Sequence, residues 1–363
     1  MESPLNYTIR LALSLGSSWK THSLPDDCPW RAFTVKVHRA HSHLIILPKR
    51  DARTFLADMP DDSSLADLLL PGTHDTMALY GWPISQCQDL ATPLVVQLNA
   101  GIRVLDIRMA VIKGKLIAYH GIYPQRTPFA NVITTLRDFL ANVPSETLVM
   151  SLKQEDFPAT SAADFSRIVH DEMMAIPELW FLENRIPTLR EVRGKVVLLS
   201  RFGGDGSGWE GGLEGLGIHP TRWPNSAREG FEWTCKGTTV RTQDWYNIPS
   251  FLDIPEKVDK AVGVLLPPPG DKSTLSISYF SAASFPLALP PTVAKGFGWP
   301  KAGFGVEGVN SRVGRWLLDR LAVCADIEEK DQPRIRGWAL TDFFQDPESA
   351  LVPLLIECNY YGR

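Results

Sequence analysis

The sequence predicts a parallel α/β fold: an irregular (βα) barrel of the TIM type with a short β-rich extension at its N-terminus. Three observations predict it. From residue 65 short apolar runs alternate with amphipathic stretches, the rhythm of repeated strand–helix units. About seven such strands occur with no GxGxxG or GxxxxGK[ST] motif, which favours a closed barrel over an open nucleotide-binding sheet. Polar and charged residues recur at the C-terminal ends of the apolar runs, where barrels of this kind build their sites.

Residues 1–60 stand apart. "AFTVKVHRAHSHLIIL" alternates as one or two strands between polar, proline-containing flanks, so an N-terminal extension, a β-hairpin, is expected to pack on a barrel spanning 61–363. His38, His41 and His43 cluster there. His41 and His43 would share a strand face as metal ligands could, but surface histidines on an edge strand are the plainer reading.

The barrel elements follow in order. "LADLLLPGTH" is a strand, and "TPLVVQLNAG" a helix stopped by glycine. "IRVLDIRMAV" is a strand, with "GKLIAYHG" paired to it across the Lys113-Gly114 turn. "FANVITTLRDFLANV" is a helix with Val132, Leu136, Phe139 and Leu140 on one stripe. "ETLVMSLKQE", "GKVVLLSRF", "TTVRTQDWY", "TLSISYFSA" and "IRGWALTDFF" are strands. "SAADFSRIVHDEMMAI", "IPEKVDKAVGVLL", "VNSRVGRWLLDRLAV" and "PESALVPLLIECNY" are helices. The Gly/Trp-rich interval 203–235 and the Pro/Gly-rich interval 284–305 break the rhythm and read as large loops at the barrel mouth.

Composition narrows the function. The chain has 363 residues, 44% hydrophobic and 21% charged, enough for a large core. Its 37 basic and 41 acidic residues give a net charge of -4 without a basic run, which argues against nucleic-acid binding. Five dispersed cysteines with no CxxC indicate neither a zinc site nor a disulfide framework. With no basic, apolar leader and no run of roughly 20 apolar residues, a soluble or peripheral membrane protein in a reducing, intracellular setting is expected. The sequence carries no reading of oligomeric state.

The strand ends carry His74-Asp75, Asp106 and Arg108, His120, Lys153 and Glu155, Arg201, Asp244 and Tyr246, and Asp342. One such end is commonly a cap or a satisfied core residue; seven in register converge on one face. Two histidines with several carboxylates suit a general base and a general acid. Arginines and a lysine in the same pocket imply an anionic reacting group. Together these point to phosphoryl transfer at a phosphodiester, by in-line displacement between two imidazoles.

"LLLPGTHDT", "GIRVLDIR", "YHG", "LVMSLKQE", "VVLLSRF", "QDWY" and "LTDFF", in this order, resemble the X-domain of phosphatidylinositol-specific phospholipases C, in its bacterial-type single-domain form. The resemblance covers about residues 63 to 350. It implies cleavage of phosphatidylinositol-type lipids to (cyclic) inositol phosphate and diacylglycerol. It implies His74 as the base that activates the inositol 2-hydroxyl, with Asp342 as its partner. His120 would be the acid that protonates the diacylglycerol oxygen, with Asp75 beside it. Arg108 would stabilise phosphate charge and Asp106 order the cationic cluster. Lys153, Arg201, Asp244 and Tyr246 would hold the inositol ring, the tyrosine by stacking. Calcium-dependent relatives carry an asparagine after the first histidine and an acid where Arg108 stands. Asp75 and Arg108 therefore imply the metal-independent branch, with no cofactor and no calcium. The implied partner is a phosphoinositide lipid. Trp209, Trp223, Trp233 and Trp299, in or beside the irregular loops, are candidates for peripheral membrane contact. The rival readings are another barrel phosphodiesterase, which would show a His-Arg-Gly start, and a non-catalytic phosphoinositide-binding protein, which would have lost a histidine or the arginine.

Overall fold

The computed structural model describes residues 7–8, 17–38, 41–156, 159–206, 216–266, 274–298, 304–323 and 334–361. Strands β1 (Trp19–His22), β2 (Trp30–His38) and β3 (His41–Pro48) form an antiparallel sheet, a β2–β3 hairpin extended by β1. Alternation drives it: Phe33, Val35, Ile45 and Leu47 share the buried face. That face packs on the helix Val309–Val323, where Trp19 covers Gly314 and donates its indole N–H to the Ser311 carbonyl at 2.8 Å. His41 and His43 are exposed on the edge strand β3, and His41 Nδ1 lies 3.3 Å from His38 Nδ1.

The main sheet contains β4 (Leu69–Thr73), β5 (Val104–Ile112), β6 (Lys115–His120), β7 (Tyr123–Pro128), β8 (Leu148–Gln154), β9 (Trp180–Phe181), β10 (Val196–Arg201), β11 (Phe231–Cys235), β12 (Thr238–Gln243) and β13 (Thr274–Tyr279). A short ribbon, β14 (Gly296–Phe297) and β15 (Val306–Glu307), precedes its last strand, β16 (Gly337–Thr341). Eight strands run parallel in the order β12-β13-β16-β4-β5-β8-β10-β9, the last a two-residue edge strand and the other seven the long ones. The seven other than β9 are the seven apolar runs of the sequence. Between them lie α1 (Leu94–Asn99), α2 (Phe129–Asn142), α3 (Ala162–Met173), α4 (Leu189–Val192), α5 (Ile254–Val264), α6 (Pro290–Lys295) and α7 (Val309–Val323), with α8 (Leu351–Glu357) closing the chain. Helix α2 buries Phe129, Val132, Ile133, Leu136, Phe139 and Leu140, a 3.6-period stripe. The β5–β6 hairpin turns on Lys113 and Gly114, both at positive φ, as a two-residue hairpin loop requires.

The architecture is the expected irregular (βα) barrel, but its closure is incomplete. Among the described residues no ladder joins β11 to β9, so the sheet is curled with two edges. Among its described residues the interval 203–235 supplies the β11 hairpin strand and one residue bridged to β10, with no further parallel strand. That residue, Ile218, exchanges 2.8 Å backbone hydrogen bonds with Leu198 and Ser200 of β10. Gly217 permits the approach: its φ is +75° and a Cβ there would meet the Leu198 carbonyl oxygen at 2.4 Å.

Gly72, in the strand that carries the first site residues, is equally constrained. A Cβ would lie 2.8 Å from both the Cβ and the carbonyl oxygen of Val104 on β5. Gly72→Ala should destabilise the fold by about 1–3 kcal/mol through overpacking. An unchanged denaturation midpoint would contradict this packing.

Candidate active site

Parallel strands bring their C-terminal ends to one face, and the site is assembled there. His74 and Asp75 follow β4, and Asp342 follows β16, its register neighbour through Thr341 and Thr73. Asp106 and Arg108 are two residues apart on β5 and share a face. His120 ends β6. Register then explains the cationic cluster: Arg108 pairs with Lys153 on β8, which pairs with Arg201 on β10. Asp244 and Tyr246 follow β12. Eight of these ten sequence-predicted residues line one cavity of about 620 Å³, Tyr246 among them and 39% exposed, and the other two, Asp75 and Asp106, make ion pairs with lining residues.

Hydrogen bonds fix the protonation pattern of His74. Its Nδ1 lies 2.8 Å from Asp342 Oδ1, and its Nε2 lies 2.7 Å from Arg108 Nη2. A guanidinium only donates, so Nε2 must accept and Nδ1 must carry the proton toward Asp342. Burial, with Arg108, His120, Arg201 and Lys153 nearby, pushes the His74 pKa well below its usual value, keeping the imidazole neutral. Burial pushes Asp342 the other way, upward, and Asp75 adds to it. His120 is oriented differently: Nδ1 lies 2.7 Å from the Ser85 carbonyl, so Nδ1 donates and Nε2 faces the cavity. The two rings stand edge to face, with centroids 6.4 Å apart.

Asp75 sits between them. Its Oδ2 is 3.1 Å from Arg108 Nη1, 3.4 Å from His120 Nε2 and 3.5 Å from His74 Nε2. The residue has φ +43°, a left-handed conformation that aspartate tolerates better than most. Its backbone N–H donates to Asp106 Oδ2 at 3.3 Å. Asp106 spans the cluster, 3.4 Å from both Arg108 Nη2 and Arg201 Nη1. Burial raises the Asp106 pKa, but Arg108 and Arg201 outweigh it and hold the carboxylate ionised. Lys153 donates to Glu155 at 2.7 Å. Against burial, Arg108 and Lys153 hold Glu155 down at about 2.

Burial raises Asp75 to about 6, with Arg108 and His120 opposing and Asp106 and Glu155 adding. A carboxyl whose folded pKa exceeds its ordinary 3.8 favours the fold when protonated; that contribution is present at low pH and lost between 3.8 and about 6. Asp75→Asn should therefore melt above wild type near neutral pH, the difference shrinking toward about pH 4. A variant less stable than wild type at neutral pH in thermal melts would contradict this.

Several site residues escaped the sequence reading. Tyr279 ends β13, is buried, accepts from Arg201 at 2.9 Å, and meets His74 edge to face at 6.0 Å. The strand-end rule that found the others applies to it. Gln88 and Asn310 carry no motif signal; they donate to the His74 and Asp342 carbonyls, both at 2.9 Å. Trp223 lies 4.0 Å over the Arg201 guanidinium and donates to Asp244 at 2.8 Å. Trp223 thus packs on the core, partly buried. The same holds for Trp233, part-buried and donating to Thr242 at 3.1 Å. Trp233 sits on β11 and bonds to its neighbour strand β12, while Trp223 packs on the core beside Arg201. Trp209 and Trp299 lie outside the described residues. Among those described, metal-ligand types meet twice, in His74–Cys87–Asp342 and Asp75–Cys87–His120.

Comparisons agree with this geometry. The family profile "Phosphatidylinositol-specific phospholipase C, X domain" matches residues 73–202. A 1-phosphatidylinositol phosphodiesterase of Listeria monocytogenes is 37% identical over 160 residues, 41% of this chain and 48% of the relative, so that match spans about half the relative's length. A Staphylococcus aureus protein of the same name is 24% identical over 264 residues, 68% of this chain and 80% of the relative. A solved structure concerned with membrane binding of the S. aureus phosphatidylinositol-specific phospholipase C superposes with a TM-score of 0.64 at 19% identity, covering 85% of this chain and 98% of that chain.

Proposed function

Given that the chain belongs to the bacterial-type phosphatidylinositol-specific phospholipase C family, we propose that it cleaves phosphatidylinositol-type lipids by attack of the inositol 2-hydroxyl on phosphorus. The observation that carries this reading is the pair of differently oriented imidazoles around Arg108. His74 Nε2, unprotonated, takes the hydroxyl proton while Nδ1–H stays on Asp342. The alkoxide attacks phosphorus, and the phosphorus–oxygen bond to glycerol breaks. His120 Nε2–H gives its proton to that leaving oxygen, yielding diacylglycerol and a cyclic inositol phosphate. Water then opens the cycle with the roles reversed. Arg108, between His74 and Asp75, supplies the charge that a metal would otherwise bring to the non-bridging oxygens. Asp106 holds Arg108 and Arg201 toward the cavity. Lys153, Arg201, Asp244 and Tyr246 line the part of the cavity that would take the ring. Turnover of a panel of phosphatidylinositol, its phosphorylated and glycosylated forms and other phospholipids tests the assignment. Release confined to inositol lipids is expected; release from none, with binding retained, would favour a non-catalytic lipid-binding protein.

Lipid access is supported by the rim. Ile122, 86% exposed, follows His120-Gly121; Phe285 and Leu287 follow β13, and Leu252 follows β12. Gly121, Ala283 and Pro290 line the cavity; Ile122 adjoins the first, and Phe285 and Leu287 lie between the other two. Such a cluster of exposed large apolar side chains fits insertion into a membrane surface. No helix among the described residues is long and apolar enough to cross a membrane. Ile122→Ser and Phe285→Ser should each weaken phosphatidylcholine vesicle binding roughly tenfold, the burial worth of one large apolar side chain. Turnover of soluble glycerophosphoinositol should be preserved. Unchanged vesicle affinity in the double variant would refute rim insertion.

A further inference from the structure

Cys87 has no part in the reaction above, yet it lines the cavity directly beneath the two imidazoles. It is fully buried, and its Sγ lies 3.8 Å from His120 Nδ1. Ligand atoms of Asp75, Cys87 and His120 all lie within 4.8 Å of one another. Bonds of about 2.0–2.3 Å in a tetrahedral zinc shell put ligand atoms roughly 3.3–3.8 Å apart. Asp75 Oδ2 and His120 Nε2 already stand at 3.4 Å. His120 Nδ1 donates to the Ser85 carbonyl, the second-shell contact that presents the opposite nitrogen to a metal. Asp75 Oδ2 is buried and accepts no aligned hydrogen bond, although Arg108 Nη1 pairs with its charge at 3.1 Å, so an ion bound there must displace that pair. The alternative set, His74–Cys87–Asp342, is closed on itself by the 2.8 Å His74–Asp342 bond.

We propose that Asp75, Cys87 and His120 form an inhibitory site for a thiophilic divalent cation of the zinc and cadmium class. Thiolate and imidazole select such ions over calcium or magnesium. On binding, the Cys87 thiol and the His120 Nε2–H each release their proton to solvent, and the sulfur, His120 Nε2 and an Asp75 oxygen each give an electron pair to the metal; nothing is oxidised. The ion takes the nitrogen that delivers the proton to the leaving group. Binding is independent of the proposed reaction, whereas the inhibitory consequence rests on it.

Cobalt(II) is the probe of binding and zinc the probe of inhibition, both on the full chain. Wild type titrated with cobalt should develop a thiolate-to-cobalt charge-transfer band that Cys87→Ala lacks. Zinc should abolish phosphatidylinositol turnover reversibly, EDTA restoring it, and calcium or magnesium should not. Cys87→Ala should keep its activity and require roughly 10- to 100-fold more zinc or beyond, since even outer-shell changes cost that much affinity. Absence of the band in wild type overturns the site, whether or not Cys87→Ala folds. Equal zinc sensitivity of a folded Cys87→Ala overturns the inhibitory role. A band in a chain without lipid turnover would uphold the site while the proposed function fails.

Discussion

Replacing His74 by alanine is expected to lower phosphatidylinositol turnover by about two to four orders of magnitude, the usual worth of a positioned general base. His74 is the only described imidazole with a carboxylate on one nitrogen and an arginine on the other. Its lowered pKa means that protonation does not silence it until the pH falls well below the ordinary histidine range. An acid limb set by His74 should thus appear at unusually low pH, and the limb seen near pH 6 should belong to Asp75. The fold should survive. Without the imidazole Asp342 loses its Nδ1–H donor, but burial already pushes its pKa up, so it can take a proton rather than remain an unpaired charge. Asp342→Asn should reduce activity through the same proton path, and the double variant should be little worse than His74→Ala, because residues acting as a unit are not additive. Independent, multiplicative losses would show that Asp342 does not act through His74.

Arg108→Ala is the second large effect: about two to three orders of magnitude in turnover, as for removal of a charge-stabilising donor. Arg108→Lys should recover little of it. The guanidinium reaches Asp75, Asp106 and His74 at once, at 3.1, 3.4 and 2.7 Å, and one ammonium cannot reproduce that fork. The alanine variant leaves two buried carboxylates less compensated and should lose stability. The lysine variant keeps the charge and so separates fork geometry from stability. Near-wild-type turnover by Arg108→Lys would mean that charge alone suffices.

Much of this was legible in the sequence because a parallel barrel converts order into position. Six of the seven apolar runs ended in the polar residues singled out, and the seven became parallel strands, so His74, Arg108 and Asp342 could be placed on one face without knowledge of pairing, whereas His120 ends the antiparallel β6. Pairing itself was not legible: that Arg108, Lys153 and Arg201 stand side by side depends on strand register, which hydrophobic pattern alone does not specify across β5, β8 and β10. Nor was closure, since Ile218 reaches β10 through a single bridge rather than a strand. That Trp223 and Trp233 pack on the core was not legible, because a sequence reports that a side chain is amphipathic, not what covers it. Ile122, Leu252, Phe285 and Leu287 are exposed apolar side chains, and on them the membrane proposal rests. Cys87, whose setting depends on a turn between distant segments, carried no signal at all.

A phosphorus NMR time course on phosphatidylinositol vesicles, with the full chain in excess EDTA and in a parallel sample with calcium, tests the central claim most directly. The account predicts a cyclic inositol phosphodiester as the first water-soluble product, formed at the same rate in both samples. A phosphomonoester appearing first with no cyclic intermediate, or turnover only with calcium, would contradict it.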